Sequence, residues 1–545
     1  MRAQPQSLAD EQASHQYHTQ DLLDLRRAQE LSLQPDWSSG SDEEATHADE
    51  DSSSEEDEEN KENIPPHSVW SDLTHDITLP PFIEHPASNL PRHRVTSEIG
   101  YLQCFLTPSL ISTIATNTNL YATSKLAPAG WATTPEEVWL FIAVHIFMGI
   151  MELPSLHMYW EEGWRQQYVV DAFSRDRFTQ LLRYFHIAEP TPAGVRYTVV
   201  QKIKPLYDHC LSIFPDYFTP PRELALDETM VRFKGRSPWK TVIRGKPIPI
   251  GYKLYTVASH GYLLTFDIFR GKGGYAVQQG AIHDTVVKLV TRWSGSNRIL
   301  FLDNLYTSPA LCRHLLTIGI RSCGTFRTNR KHLPSGLKDA MKTLSEGETK
   351  AWQSGQLGCL VWLDKQPVLM LSTHHRVDAM STIPQDRGPN HPPTVTKPQV
   401  VFDYNNHKSH VDRVDQLRQY YAIQRKSMKD WPSLAWWLID MCIVNAYTLW
   451  CLDTKVVISQ LDFRRALLQQ IPAAYPPPQT RAQLAPSTPL ITTADGHWPK
   501  HSHKTRECAY CTRGRAGRRR SEVVCKQCDV HLCLEPCFEL YHTLE

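Results

Sequence analysis

The stretch Leu224–Gly235, LALDETMVRFKG, decides how this chain reads. Its apolar run has the character of a strand, yet it carries Asp227 in the middle. An ionised carboxylate in such a place is costly unless a metal ion, a basic partner or a catalytic task accompanies it. On its own the feature is weak, because an ordinary acid at a strand end is the commoner case. The reading therefore turns on what else in the chain converges on Asp227.

Outward from that stretch the pattern stays strand-like. A basic, Gly/Pro-punctuated segment, KGRSPWKTVIRGKPIPIGYK, follows, and then strands over Leu254–Ser259 and Tyr262–Phe269 flank a His260-Gly261 turn. Arg298–Asp303, RILFLD, is apolar on both faces and predicts a central buried strand ending at Asp303. Ser308 and Pro309 supply an N-cap and a first-turn proline for a helix over Ala310–Ile318. Upstream, Thr134 and Pro135-Glu136-Glu137 open one helix, and Phe178, Leu181, Leu182 and Phe185 mark another over Asp176–Ile187. Trp131, Trp139, Trp160 and Trp164 are expected as core. Downstream, the Gly- and Pro-rich residues 330–400, with a hairpin over Lys350–Ser372, suggest an insertion. The segment VDRVDQLRQYY then places Val411, Val414, Leu417 and Tyr421 on one helix face and Asp412 and Asp415 on a neighbouring stripe. Trp431–Leu449 is a strongly apolar helix, and a Pro-rich linker leads to a cysteine cluster. The fold class is α/β.

Composition bounds the partners. Lys+Arg and Asp+Glu both total 58, but Asp42–Glu62 holds twelve acids against one lysine, a net charge of minus eleven. The rest of the 545-residue chain is plus eleven, which suits a polyanion. The Ser-, Glu-, Asp- and Gln-rich beginning has too few large apolar side chains to offset chain entropy and is expected to be disordered. Within it, Ser52-Ser53-Ser54-Glu55-Glu56 has the form of an acidic-directed phosphorylation site, with a solvating tail as the alternative. The N-terminus has no apolar h-region, and the longest apolar run, Val138–Met151, has fourteen residues with His145 inside, too short to span a bilayer. An intracellular protein with no membrane partner is expected. Its thirteen cysteines then point away from disulfides.

A strand bearing Asp227, a central strand ending in Asp303 and a later helix carrying Asp412 can bring three carboxylates to one end of a mixed sheet. All-oxygen ligands suit magnesium, and two such ions about 4 Å apart serve in-line phosphoryl transfer. Lys234, Arg236, Lys240, Arg244, Lys246 and Lys253, which follow Asp227 closely, are candidate phosphate contacts, against a solvated hairpin face.

At the C-terminus the spacing is Cys508-x2-Cys511-x13-Cys525-x2-Cys528-x4-Cys533-x3-Cys537-x4-His542. Two CxxC pairs followed by Cys, Cys and His signal zinc. Seven ligands leave one missing for two tetrahedral sites. His531 is taken as the eighth, with His497 and His503 competing. A cross-brace would join Cys508, Cys511, Cys533 and Cys537 at one zinc, and Cys525, Cys528, His542 and the eighth ligand at the other. Arg515, Arg518 and Arg519 lie in a basic loop between the CxxC pairs that suits DNA contact or nuclear import. Zinc cross-braces also occur in ubiquitin ligases and histone readers, so this module alone does not choose a function.

The segments LALDETMVRFKGRSPWKTVIRGKPIPIGYKLY, FLDNLYTSPALCRHL and DYNNHKSHVDRVDQL, in this order and together with the cysteine cluster, resemble the piggyBac transposase family over roughly residues 80–545. The resemblance implies an RNase H-like catalytic core, a mixed sheet flanked by helices. Its acidic triad would be Asp227, Asp303 and Asp412, with Asp415 as a further acid close by. It also implies a mostly helical dimerisation and DNA-binding domain, an insertion domain and a cysteine-rich domain that binds element ends. The expected plan is a disordered acidic tail over 1–75, the helical domain over 76–220 and 422–471, and the core over 221–329 and 401–421. The insertion covers 330–400, the Pro-rich linker 472–500 and the cross-brace zinc domain 501–545. Two Mg2+ and two Zn2+ ions are expected. The partners would be double-stranded DNA, as terminal repeats and TTAA targets, and further copies of the chain in a homodimer or larger assembly in the nucleus. In such enzymes the element end is nicked, the freed 3′ hydroxyl forms a hairpin, and the hairpin is reopened and joined at TTAA. The alternative is a domesticated DNA-binding or chromatin protein without catalysis. One departure is Ser409-His410, where the family often carries Gly-Gly, and this bears on the backbone approach before the helix.

Overall fold

The structure is a computed structural model that describes residues 69–91, 95–192, 194–271, 279–384, 394–477, 497–513 and 519–543. The acidic segment, the Ser52–Glu56 motif, Arg515, Arg518 and most of the Pro-rich linker lie outside the described residues. The chain divides into two units, Met1–Pro477 and Pro478–Glu545.

The larger unit is built on a nine-stranded mixed sheet. Its strands are β1 (Glu223–Arg232), β2 (Lys240–Val242), β3 (Ile250–Ser259), β4 (Tyr262–Ile268), β5 (Ile299–Leu302), β6 (Arg321–Thr325), β7 (Thr349–Ser354), β8 (Leu357–Leu363) and β9 (Pro367–Ser372). Their order is β2-β3-β1-β5-β6-β9-β8-β7, with β4 also on β3. β3 is antiparallel to both β1 and β4, whereas β1, β5 and β6 run parallel. An antiparallel meander followed by parallel strands is the RNase H-like arrangement. β5 is buried at every position, as a strand covered on both faces must be.

The helices follow from their capping residues and apolar faces. The Thr134 side chain accepts from the Glu137 amide ahead of α2 (Pro135–Ile150), and Ser308 accepts from Leu311 ahead of α4 (Pro309–Thr317). α1 is Glu98–Phe105, α3 Lys204–Tyr217, α5 Gln399–His407, α6 His410–Gln419, α7 Pro432–Thr454 and α8 Gln460–Ala474. α7 is long and apolar enough to cross a membrane, yet the fold buries all of it but the last three residues. It packs on α1, α3 and β4, and the Asn445 side chain pairs with both backbone groups of Leu263 at 2.8 and 2.9 Å. That amide clamp pins the helical layer to the sheet. Trp139 is fully buried, but Trp164, expected as core, is 56% exposed.

Two expectations change here. The Lys350–Ser372 hairpin does not stand apart as an insertion: β9 pairs with β6, so β7–β9 extend the central sheet. The tail expected to be disordered through residue 75 is anchored before that, because Ser71 exchanges backbone hydrogen bonds with Gln353 and the Trp70 indole donates to the His332 carbonyl at 2.9 Å. An unpaired strand edge offers such bonds to any extended segment within reach.

Candidate active site and metal-ligand clusters

The parallel register sets the first two carboxylates side by side. Leu226 of β1 pairs with Leu302 of β5, so Asp227, in the middle of β1, and Asp303, the first residue past β5, are brought side by side. Asp227 Oδ1 accepts from the Glu228 amide at 2.7 Å, and Asp303 Oδ1 accepts from the Leu305 amide at 2.8 Å. The turn after Asp303 is held by Thr307, whose hydroxyl donates to the Asp303 carbonyl at 2.8 Å, and by Arg330, which donates to the Asn304 and Leu305 carbonyls.

Helix α6 lies over β1 and β3 through Val411, Val414 and Leu417. Asp415 faces Thr229, two residues beyond Asp227 on the same side of β1, while Asp412 sits exposed in the first turn of α6. The start of α6 is tied to the β3–β4 turn, since the His260 amide donates to His410 Nδ1 at 3.1 Å. Ser409 has φ −85° and His410 lies within the helix, so neither position demands glycine. The departure from Gly-Gly is thus without backbone strain and adds an anchor.

Electrostatically this is a region of surplus negative charge. Burial, then Glu228 and Asp303, push Asp227 up to about 8. Burial and Glu228 likewise raise Asp303. Burial raises Asp415 to about 6 against the pull of Arg418 and the Thr229 hydroxyl, with Asp412 adding to the rise, and of its two oxygens Oδ1 is buried with no hydrogen-bond partner. Carboxylates that repel one another and an orphaned carboxylate oxygen are what a hard divalent cation satisfies. In this structure the acids do not gather into a closed ligand set: among the described residues, the groups of three or more His, Cys, Asp or Glu whose ligand atoms all lie within 4.8 Å of one another are in the smaller unit.

Glu228 is the member that sequence reasoning missed. Its side chain is 7% exposed and takes the Tyr306 hydroxyl at 2.8 Å, with Lys253 Nζ at 3.5 Å and Lys246 Nζ at 3.8 Å. Among the expected phosphate contacts this overturns Lys253. It is only 5% exposed, beside Glu228 and the faces of Tyr255 and Phe269, so its ammonium neutralises an internal acid. Lys240 is half-buried and donates to the Gly235 carbonyl at 2.9 Å. Lys234, Arg236, Arg244 and Lys246 are exposed.

In the smaller unit a two-stranded sheet, β10 (Pro499–Glu507) with β11 (Arg520–Cys525), precedes helix α9 (Cys537–Thr543). Two ligand groups interleave along the chain: Cys508, Cys511, Cys533 and Cys537, and His497, Cys525, Cys528 and His542. Cys511 Sγ lies 3.3 Å from Cys537 Sγ, and His497 Nδ1 lies 3.4 and 3.2 Å from the sulfurs of Cys525 and Cys528. His542 Nδ1 donates to the Phe538 carbonyl at 2.7 Å, which leaves Nε2 as the ligand atom. Crowded, partly desolvated thiols push Cys533 up to about 11 and Cys537 up to about 12, and a bound zinc ion relieves that crowding.

His531, expected as the eighth ligand, lies outside both groups. Its Nδ1 donates to the Ser521 carbonyl at 2.8 Å, its backbone bridges to Val524, and the ring is buried in the hairpin. His497 takes the place. Arg519 is exposed.

Residues 97–447 match the family described as Transposase IS4, and residues 494–543 match a DDE_Tnp_1-like zinc finger. The chain is 26% identical over 436 residues to human PiggyBac transposable element-derived protein 2, spanning 76% of this chain and 72% of that one. It is 26% identical over 474 residues to human PiggyBac transposable element-derived protein 3, spanning 83% and 76%. A cryo-EM structure of a piggyBac transposase synaptic complex with hairpin DNA superposes with a TM-score of 0.66 at 21% identity, over 83% of this chain and 98% of that one, a likeness of fold.

Proposed function

The chain belongs to the piggyBac-type transposase family, and from that premise we propose that it is a metal-dependent DNA transposase. It would cut element ends, pass through a hairpin and insert at TTAA. The observation that supports the proposal most is the β1/β5 register, which sets Asp227 and Asp303 side by side as a mutually repelling acidic pair, with Lys246 acting on both.

Asp227, Asp303 and Asp412, with Asp415 next to them, are the residues that would hold Mg2+, two ions by the donor count. Bound there, magnesium supplies Lewis-acid charge for phosphoryl transfer. The protein's own part is positional. The Glu228 and Leu305 amides fix one oxygen each of Asp227 and Asp303, and Thr307 and Arg330 hold the turn after Asp303. Lys234, Arg236, Arg244 and Lys246 would contact phosphates, with a salt-dependent contribution to affinity. The two Cys/His groups would hold two zinc ions that fold the smaller unit, and this unit, with Arg519 and the neighbouring Arg515 and Arg518, would bind element ends. Two ends joined in one event call for at least a dimer, and the basic loop supports nuclear import.

Gly324 offers a test of positioning. A methyl there would overlap the Leu302 carbonyl and the Thr307 hydroxyl, the groups that hold Asp303 in place. Gly324→Ala should lower cleavage on the order of 10–100-fold while the protein remains folded. Loss of activity only in proportion to loss of folded protein would contradict it.

The relatives named as transposable element-derived favour a second reading, DNA binding without catalysis. Incubating the full chain with Mg2+ and TTAA-flanked ends separates the two. Nicking followed by hairpin products is expected, whereas tight binding with intact DNA leaves only the second reading.

A further inference from the structure

The two lysines that serve Glu228 differ in mobility. Lys253 is 5% exposed in the middle of β3, flanked by aromatic rings, and cannot leave without burying Glu228 unpaired. Lys246 is 42% exposed, on the short connection between β2 and β3, and sits 3.8 Å from the other Glu228 oxygen, a distance of attraction without a hydrogen bond. Glu228 therefore keeps the Tyr306 hydroxyl and Lys253 even when Lys246 departs. The charge of Lys246 also acts on Asp227, Asp303 and Asp415, lowering all three. Its charge thus reaches acids on β1, after β5 and on α6 alike. A half-exposed side chain with a weak perch on Glu228, the residue next to Asp227, is positioned to exchange partners.

We propose that Lys246 is a displaceable counter-cation of the acidic cleft: perched on Glu228, it competes with divalent metal for the carboxylates and transfers to a DNA phosphate when metal enters. This rests on the metal-site reading above and adds a gate to it. Metal and DNA then bind with positive linkage, because the phosphate gives the expelled ammonium a new partner. The cleft would discriminate against metal loading in the absence of DNA.

The test is Mn2+ binding to the full chain without DNA, read by calorimetry and by the metal-induced rise in melting temperature. Lys246→Gln should tighten Mn2+ on the order of tenfold, as expected for removing a unit charge from a partly screened site. Lys246→Arg should stay within about twofold of the parent, since it keeps the charge. In a Glu228→Gln background, which retains a partner for Tyr306, the Lys246→Gln gain should shrink, because the perch is gone. With DNA bound, the same substitution should no longer tighten Mn2+ and should reduce the salt dependence of DNA binding by about one phosphate contact. Unchanged Mn2+ affinity in Lys246→Gln overturns the proposal, as does a gain of the same size with or without Glu228. If the parent chain shows no Mn2+ response, or Asp227→Asn and Asp303→Asn keep it, the metal-site reading itself falls and takes this one with it.

Discussion

Replacing Asp227 or Asp303 by asparagine is expected to reduce strand cleavage by at least about 1000-fold, roughly 4 kcal/mol of transition-state stabilisation, with DNA binding retained. The same substitutions should make the metal-free chain more stable at pH 8. The sign follows from linkage. Burial, Glu228 and Asp303 raise Asp227 from its ordinary 3.8 to about 8, so between those values the folded chain holds more protons than the unfolded one. Stability therefore falls as pH rises through that window, and a neutral asparagine removes the fall. Asp415, raised to about 6, adds a smaller component over about pH 4 to 6. Melting temperatures in chelator at pH 5.5 and pH 8 check this: the parent should lose stability between the two, and Asp227→Asn should lose less. An Asp227→Asn protein that cleaves normally would end the catalytic reading. One that is inactive but less stable at pH 8 would mean that the carboxylate is satisfied internally.

That opposition of sign separates a site from a structural ion pair elsewhere in the same unit. Burial raises Asp440 too, but Arg464, equally buried at 3.2 Å, opposes that rise as a direct partner, and Asp440 also accepts from the Ile423 amide. Removing one partner there leaves an uncompensated charge and should destabilise at every pH above the carboxylate range. The Asp227–Asp303 pair has backbone amides and the more distant charge of Lys246 but, among the described residues, no ion-pair partner of its own at hydrogen-bond distance, as expected of charge held for a ligand.

What could be read in advance follows from locality. The strand around Asp227, the buried strand ending at Asp303 and the Thr134 and Ser308 caps are encoded within a few residues, and each lies where its local pattern requires. Glu228 was illegible because an acid beside an acid resembles a solvated pair. Its meaning comes from Tyr306, 78 residues away, and from Lys253 across the β1–β3 pairing. Lys253 misleads for the converse reason: in a run of basic residues it looks like its neighbours, although the surrounding YKLYTV is a buried strand. The β9–β6 pairing that merges residues 349–372 into the sheet joins segments about 45 residues apart, and no turn signal announces it.

The zinc module carries the other large effect, and in it sequence proximity and spatial proximity disagree. His531 lies between two ligand cysteines, whereas His497 lies 28 residues before Cys525 and reaches it across the start of β10. The full chain should bind two zinc ions. His497→Ala should lose one of them and unfold the half of the smaller unit built on Cys525, Cys528 and His542. Structural zinc contributes roughly 10 kcal/mol or more to such modules, far beyond what a unit this small recovers from its apolar contacts. His531→Ala should keep both ions and cost only about 1–3 kcal/mol, through the lost bond to the Ser521 carbonyl and a small cavity. Metal content by mass spectrometry of the purified variants decides it. Two zinc ions in His497→Ala with one in His531→Ala would reverse the ligand assignment, and a single ion in the parent chain would dissolve the cross-brace. Both variants should retain Mn2+ binding at the acids of the larger unit, so loss of zinc and loss of the proposed divalent metal can be scored independently.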